Sequence, residues 1–528
     1  MPRRTFNREQ VHLLPPSFDE WVPTDHPIRF VAIFVDGLTR QEWLEIGICP
    51  EGERRGAPAY DARLLMGVWL AGVMQGIRSA RALEAACRDQ ISFRWLTGNQ
   101  VPDHNTLWRF YAAHREDIHV LVRKTVTTAA HAGLVDLALM AVDGSKVAGN
   151  ASRDRTVKAS ELTELLERTE EAIAELDEAN AVNDEDGAPR LPTELSSMET
   201  LRERVLAAQH RVNGAEQPTQ VNLTDPDARI QKARQGYMTG YNAQAAVVRA
   251  DLGPDRSGGL LMAAADVTSD RDDHRHLLPM FEQGRDNLGS APTVLAADGG
   301  YYAGTTVAAC AARDQVVVMP ETQSRATTDD PYHAGQFRYD EVSDTFTCPQ
   351  GHALTFCGEK HRRGRPSVRV YRTQAATCRA CPAFGTCTRN RQQGRVIEVR
   401  LNRAAIVQHR AWMQTEEAKA LSARRKTLVE PVFGIIKERL RLNRFHLRGL
   451  ANVRAEWSLL AVGFNLRTLA RAWLAGLLPA PGGGPNETHP HPATAHHLPG
   501  HSGPLQASTT TALQRTRHFF RRQLVPTT

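Results

Sequence analysis

The sequence predicts an α/β protein in which a sheet-based core follows an all-helical amino-terminal domain and is interrupted by two insertions. Three observations carry this. Apolar runs of strand length at 137–142, 241–248, 260–267, 293–297 and 315–319 alternate in part with helical patterns at 272–288 and 305–313. Residues 1–130 show helical patterns alone. The composition then turns acidic over 160–209 and cysteine-bearing over 321–400.

With 528 residues, 41% hydrophobic and 23% charged, the chain has the make-up of a globular protein of several domains. A formal charge of +6 permits a polyanionic partner without requiring one. The uncharged stretch between Arg63 and Arg78 is too short, and too broken by Gly67, Gly72 and Gly76, to span a bilayer. The first ten residues lack the apolar core of a signal peptide, so a cytoplasmic, nucleoid-associated protein without a membrane partner is expected. Eight cysteines are too few for a disulfide scaffold, and four of them cluster, which favours metal.

Within the helical domain, 1–130, helices are expected at 61–76, 78–88, 91–98 and 103–114, with Asp103 and Asn105 as caps. Short helices, tight turns and Arg78, Arg81, Arg88, Arg94 and Arg109 suit a helix-turn-helix reader of DNA. A plain bundle with solvated arginines is the alternative.

The core is assigned to 135–155, 236–320 and 402–475. Its first run ends in Asp143, Gly144, Ser145 and Lys146, a buried strand delivering an aspartate at its carboxyl end, where open α/β sheets bind ligands. A turn aspartate before glycine is the commoner use of that pair. Leu162, Leu165, Leu166, Ile173 and Leu176 then recur at helical spacing among glutamates. They predict an inserted acidic helical hairpin within 156–235, broken at 183–192 and unsuited to phosphate contact. The run 293–297 again ends in an aspartate, Asp298, followed by Gly299 and Gly300, which let backbone or ligand approach closely.

The second insertion, 321–401, reads as a small zinc-ribbon-like β subdomain with hairpin segments at 336–347, 367–373 and 395–401. Cys378 and Cys381 have the chelate spacing of a zinc knuckle. Cys348 and Cys387 complete the candidate set, with His352, Cys357 and His361 in reserve. Reduced cysteines in a small β fold are the alternative.

A helix at 404–423 leads into the stretch on which the reading turns. At about 100° per residue, Lys426, Glu430 and Lys437 share one helix sector, while Val429, Val432, Phe433, Ile436 and Leu440 share another. A surface salt-bridge ladder accounts for that pattern by itself. Pro431, however, favours a first turn, so Glu430 is expected at a helix start or kink, aimed into a cleft. An uninterrupted helix with Glu430 facing solvent counts against that expectation. Between 424 and 454, nine bases face only Glu430 and Glu438, the footprint of a phosphate backbone. Arg424, Arg425, Lys426, Lys437, Arg444 and Arg448 are the candidate DNA contacts. An apolar helix at 455–475 closes the fold, and the Pro-, Gly- and His-rich tail, 479–528, is expected to be disordered.

Asp143, Asp298 and Glu430 make a set of three carboxylates, stable at neutral pH only with cations. Magnesium suits such a site, since it takes one or two carboxylates together with phosphate oxygens. Two ions roughly 3.5 to 4 Å apart serve phosphodiester displacement.

The motifs Val142-Asp143-Gly144-Ser145-Lys146, Ala297-Asp298-Gly299-Gly300-Tyr301 and Val429-Glu430-Pro431-Val432-Phe433-Gly434, with Lys437, resemble those of DDE-type bacterial insertion-sequence transposases. Within these the chain is similar to the group with a tyrosine-arginine-glutamate-lysine signature. The likeness runs over about 6–470. Leu13-Leu14-Pro15-Pro16-Ser17, Asp25-His26, Phe93-Arg94-Trp95-Leu96-Thr97-Gly98 and Asp103-His104-Asn105-Thr106 resemble the amino-terminal domain of InsH-type transposases; 222–227 and 240–244 also fit. The resemblance implies an RNase H-like mixed sheet, with Asp143 ending its first strand, Asp298 ending its fourth and Glu430 on a later helix. It implies that these three hold two Mg²⁺ ions, with Mn²⁺ as an alternative. It further implies that water cleaves at the element ends and that the freed 3′ hydroxyl attacks target DNA, in a homodimer that pairs two ends. Lys437 matches the signature lysine, a phosphate contact. Ala423 and Lys426 stand where the signature has tyrosine and arginine. A DNA-binding regulator derived from a transposase and a plain RNase H-like nuclease are the rival functions.

Overall fold

The structure is a computed structural model that describes residues 17–49, 60–182, 193–214, 218–233, 236–253, 258–321, 330–340, 342–362, 365–400 and 402–478. Leu13, Leu14, Pro15 and Pro16 of the amino-terminal motif, the expected hairpin break at 183–192 and the tail at 479–528 lie outside the described residues.

The chain opens with helices α1 (Phe18–Trp21), α2 (Pro27–Asp36), α3 (Arg40–Glu45), α4 (Ala62–Met74), α5 (Ala80–Asp89), α6 (Ile91–Leu96), α7 (His104–His114) and α8 (His119–His131). Strands β1 (Val135–Ala148) and β2 (Thr156–Lys158) precede helices α9 (Leu162–Val182) and α10 (Thr193–Val212). Next come β3 (Gln220–Asn222), β4 (Arg229–Ala233), β5 (Gly236–Ala250), β6 (Gly259–Thr268), α11 (Leu277–Leu288), β7 (Val294–Ala296), α12 (Gly304–Ala311) and β8 (Val316–Val318). Then follow β9 (Arg338–Asp340), β10 (Thr345–Thr347), β11 (Ala353–Arg362), β12 (Arg365–Arg372), α13 (Ala375–Ala380) and β13 (Val396–Arg400). Three helices close the chain: α14 (Arg403–Met413), α15 (Glu416–Glu438) and α16 (Leu450–Leu474). The architecture is therefore α/β with a helical amino-terminal region. No helix among the described residues is long and apolar enough to cross a membrane.

The chain divides into two compact units. The first takes the described residues of Met1–Arg271, Pro279–Pro292 and Lys426–Arg522. In it β5 pairs antiparallel with β1, β4 and β6. Side chains start its helices: Ser17, Thr39, Asp61, Ser79 and Asp103 each accept a first-turn N–H. Asp103 takes the amides of both Asn105 and Thr106, so Asn105 is a helix residue and not the cap expected of it. Helix α16 is buried on nearly every side and packs against β6, α8, α4 and α2, the place for a helix apolar all round. Buried Asn465 fixes its register, bonding to both backbone groups of Met262 on β6 and to Thr125 Oγ1 on α8. The carboxylates of Asp225 and Asp227 accept the N–H groups of Gly449 and Leu450 at its start, where anionic groups meet free amides and a favourable dipole. Burial holds the Asp225 carboxyl above its usual range even though the Tyr241 hydroxyl donates to it. Helices α9 and α10 pack on each other over Leu162, Val205 and Ala208.

The second unit takes Asp272–Leu278 and the described residues of Thr293–Arg425. Strands β7 and β8 form a parallel pair, and a five-stranded antiparallel sheet runs in the order β13-β12-β11-β10-β9 around Phe346, Leu354, Tyr371 and Ile397.

Several expectations are corrected. β1 does not end at Asp143: β5 offers a partner as far as Ala148, and Asp143 pairs with Ala245 inside the ladder. The helix expected at 404–423 is two helices, because Thr415 Oγ1 accepts the Ala418 N–H and restarts the backbone. α15 then runs without interruption through Pro431, so Glu430 is neither at a helix start nor ahead of a break. Pro431 removes one backbone donor, and the buried stripe of Leu428, Val429, Val432 and Ile436 outweighs that loss. Arg78 is not a solvated arginine: its side chain is 6% exposed and paired with Glu456 on α16.

Candidate active site

In the first unit, Asp143 is half-buried, with Oδ1 accepting the N–H of Gly144 at 2.8 Å. Residues two apart share a strand face, so Asp143 and Ser145 lie together on β1. Lys437 reaches that face from α15, donating from Nζ to Ser145 Oγ at 2.8 Å. Glu430 precedes Lys437 by about two helical turns, roughly 10 Å, on the same polar stripe. It is exposed, as are Lys426 and Lys437. On the opposite stripe Val429, Val432 and Ile436 are fully buried, and the Phe433 ring stacks on Trp457 at 6.1 Å. The polar and apolar stripes read from the sequence are thus the outer and inner sides of the helix.

The connection after α15 is laced to the end of β1. The Phe445 N–H donates to Ala148 O at 2.9 Å, Asn150 Nδ2 to His446 O at 2.8 Å, and Arg448 Nε to Asn150 O at 2.9 Å. Arg78 holds the same loop from α5's side, donating to Arg441 O at 2.8 Å and Arg444 O at 3.2 Å. Glu456 receives Arg78 and the N–H groups of His446 and Leu447. Burial and the Arg78 charge hold the His446 imidazole below its usual value. Arg444 and Arg448 are therefore exposed cations on a braced loop beyond the strand that carries Asp143. A cavity of about 910 Å³ opens on a different side of α15, lined by Thr427, Leu428, Pro431, Ile435, Arg467 and Arg471 among others, and none of the three carboxylates lines it.

In the second unit, Asp298 directly follows Ala297 after β7 and caps a turn of 3₁₀ helix, accepting the Gly300 N–H at 2.9 Å. A Cβ on Gly300 would stand 3.0 Å from an Asp298 oxygen and 3.5 Å from an Asp273 oxygen. Only a residue without a side chain leaves that space open. Asp273 is a neighbour that sequence reading missed; its signal was the run Asp270, Arg271, Asp272 and Asp273 ahead of the next helix. Arg424 is exposed and Arg425 half-buried at the end of this unit's part of α15.

Cys348, Cys378, Cys381 and Cys387 line one cavity of about 20 Å³ with His352, all as free thiols. Cys378 Sγ accepts the Arg395 N–H at 3.2 Å and Cys348 Sγ the His352 N–H at 3.3 Å. Burial pushes the Cys387 thiol up. Cys357 is exposed and outside the cavity lining, and His361 bonds to Ser367. Among the described residues no group of three or more His, Cys, Asp or Glu is drawn together closely enough to hold a metal ion.

Two family models match the chain. One, described as a transposase DDE domain, covers 347–470, and the other, described as a transposase domain (DUF772), covers 16–113. These two segments support a DDE-type insertion-sequence transposase. No curated protein matches it. Transposase domains imply a transposition enzyme in general with DNA as the partner, and DDE domains in general depend on divalent metal. The matched DDE segment holds the four clustered cysteines, Glu430, Lys437 and the basic loop of this transposase, whereas Asp143 and Asp298 lie in the unmatched stretch between the two segments.

Proposed function

We propose that this transposase cleaves DNA at the ends of its element and joins the freed 3′ hydroxyl to target DNA, on an RNase H-like core, with Asp143, Asp298 and Glu430 as its catalytic carboxylates. The observation that supports the reading is the Lys437–Ser145 hydrogen bond, which brings Lys437 of α15 to the strand that carries Asp143. Divalent ions, Mg²⁺ in this reading, supply the positive charge for forming the attacking oxygen and releasing the leaving one. The carboxylates offer acceptor-only oxygens, and bare Gly300 keeps the space beside Asp298 and Asp273 open. Lys437 is suited to hold a phosphate near Asp143, and Lys426, Arg424, Arg425, Arg444 and Arg448 to track the backbone. Two copies would pair the two ends. Cys348, Cys378, Cys381 and Cys387 are assigned a structural Zn²⁺, their backbone N–H···S bonds being of the kind a thiolate favours.

The test compares wild type with Asp143→Ala, Asp298→Ala and Glu430→Ala on a duplex bearing the element ends, with Mg²⁺. Nicking and joining are expected from wild type alone, with DNA binding retained in all four. Equal cleavage by all four proteins, or cleavage without joining by wild type, removes the reading.

A further inference from the structure

The acid-free tract with the most basic residues is not in α15 but in the cysteine-bearing segment of the second unit. Between Glu359 and Glu398 there is no Asp or Glu, while Lys360, Arg362, Arg363, Arg365, Arg369, Arg372, Arg379, Arg389, Arg391 and Arg395 supply ten positive charges. That exceeds the formal charge of +6 for the whole chain. Some of these serve the fold. Arg369 pairs with Asp344 at 2.8 Å and stacks over Phe356, and Arg395 donates to the carbonyls of Cys387 and Tyr332.

Arg379, Arg389 and Arg391 keep their charge at the surface. All three are exposed on the lobe that carries Cys378, Cys381 and Cys387. Arg379 Nη1 donates to Arg391 O at 3.0 Å and Arg389 Nε to Gly385 O at 3.3 Å. The first of these joins two of the three residues across the lobe. The turn presenting Arg391 is held by Asn390 Oδ1, which accepts the N–H groups of Gln392 and Gln393. Like charges on a braced turn, with no acid in the tract to neutralise them, favour a polyanion, and guanidinium forks match phosphate oxygens.

We infer that Arg379, Arg389 and Arg391 form a second contact with the DNA phosphate backbone, additional to the basic stretch of α15 and its following loop. The inference rests on DNA being the partner and is independent of the three carboxylates. It is tested with the full chain and a short duplex of arbitrary sequence, by fluorescence anisotropy across a salt series. The variant Arg379→Gln/Arg389→Gln/Arg391→Gln is compared with wild type and with Lys158→Gln/Arg168→Gln/Arg202→Gln, which removes the same charge from exposed sites of the acidic hairpin. The lobe variant is expected to bind at least about tenfold more weakly at physiological salt and to lose about two to three from the slope of log K against log salt, at about 0.9 per phosphate. The hairpin control is expected to lose less than about one. Should the triple variant misfold, Arg391→Glu alone is expected to lose about one. An unchanged slope, or equal losses in lobe and control, overturns the inference while leaving DNA as the partner. Wild type that fails to bind DNA removes both.

Discussion

Replacing Arg78 by methionine tests how far the basic loop depends on one buried ion pair. The side chains of Arg78 and Glu456 are 6% and 8% exposed, and Arg78 also holds the carbonyls of Arg441 and Arg444. Methionine fills similar volume, so the cost is electrostatic. It strands a buried carboxylate and frees two carbonyls. Removing one partner of a buried pair costs about 3 to 5 kcal/mol, and the lower end applies here because Glu456 keeps the N–H groups of His446 and Leu447. Urea unfolding near neutral pH should show a loss of about 3 kcal/mol for Arg78→Met. Arg78→Met/Glu456→Gln should be more stable than the single variant by about 1 to 2 kcal/mol, since the stranded charge is gone. A loss below about 1 kcal/mol, or a double variant as weak as the two single losses added, would refute the reasoning.

His409, 4% exposed and held down to about 4 by burial, is neutral in the fold, with neither ring nitrogen hydrogen-bonded among the described residues. The unfolded chain binds that proton from about pH 6.5 downward, so stability should drop by about 2 kcal/mol between about pH 7.5 and 5. Urea midpoints should show His409→Leu losing this dependence; an identical pH slope in the variant argues against it. Gly240→Ala places a Cβ 2.1 Å from Val147 O on the facing strand, so a loss of about 3 kcal/mol or outright misfolding is expected in thermal unfolding. A melting temperature within a degree of wild type contradicts that. Metal analysis should find about one zinc per chain, lost in Cys381→Ser, and a metal-free wild type would withdraw the zinc assignment.

The apolar signals were legible where the pattern was internal to one element. The stripes of α15 were assigned correctly because 3.6-residue periodicity needs no partner. The extension of β1 through Asp143, Gly144, Ser145 and Lys146 was hidden, because these residues read as a turn and become strand only when Asn242, Ala243, Gln244 and Ala245 supply the ladder. Pro431 misled for a similar reason: a local rule for proline yields to the burial of a whole helix face. Arg78 looked like its neighbours Arg81 and Arg88, since nothing local marks Glu456, 378 residues away, as its partner. Of the site, the Lys437–Ser145 contact agrees with the motifs that named both residues, while Asp273 emerged only when the turn at Gly300 brought it beside Asp298.

The twin aspartates at 225 and 227 tie the acidic arm to the closing helix. The closing helix finds acceptors for its leading amides in a loop that lies beyond the acidic arm, so the arm's far end is anchored to the piece that fills the centre of the first unit. Arg211, at the base of the arm, is tied to Asp227 as well. With its root clamped in this way, the arm can be lengthened or trimmed at its tip while the central helix keeps its seat.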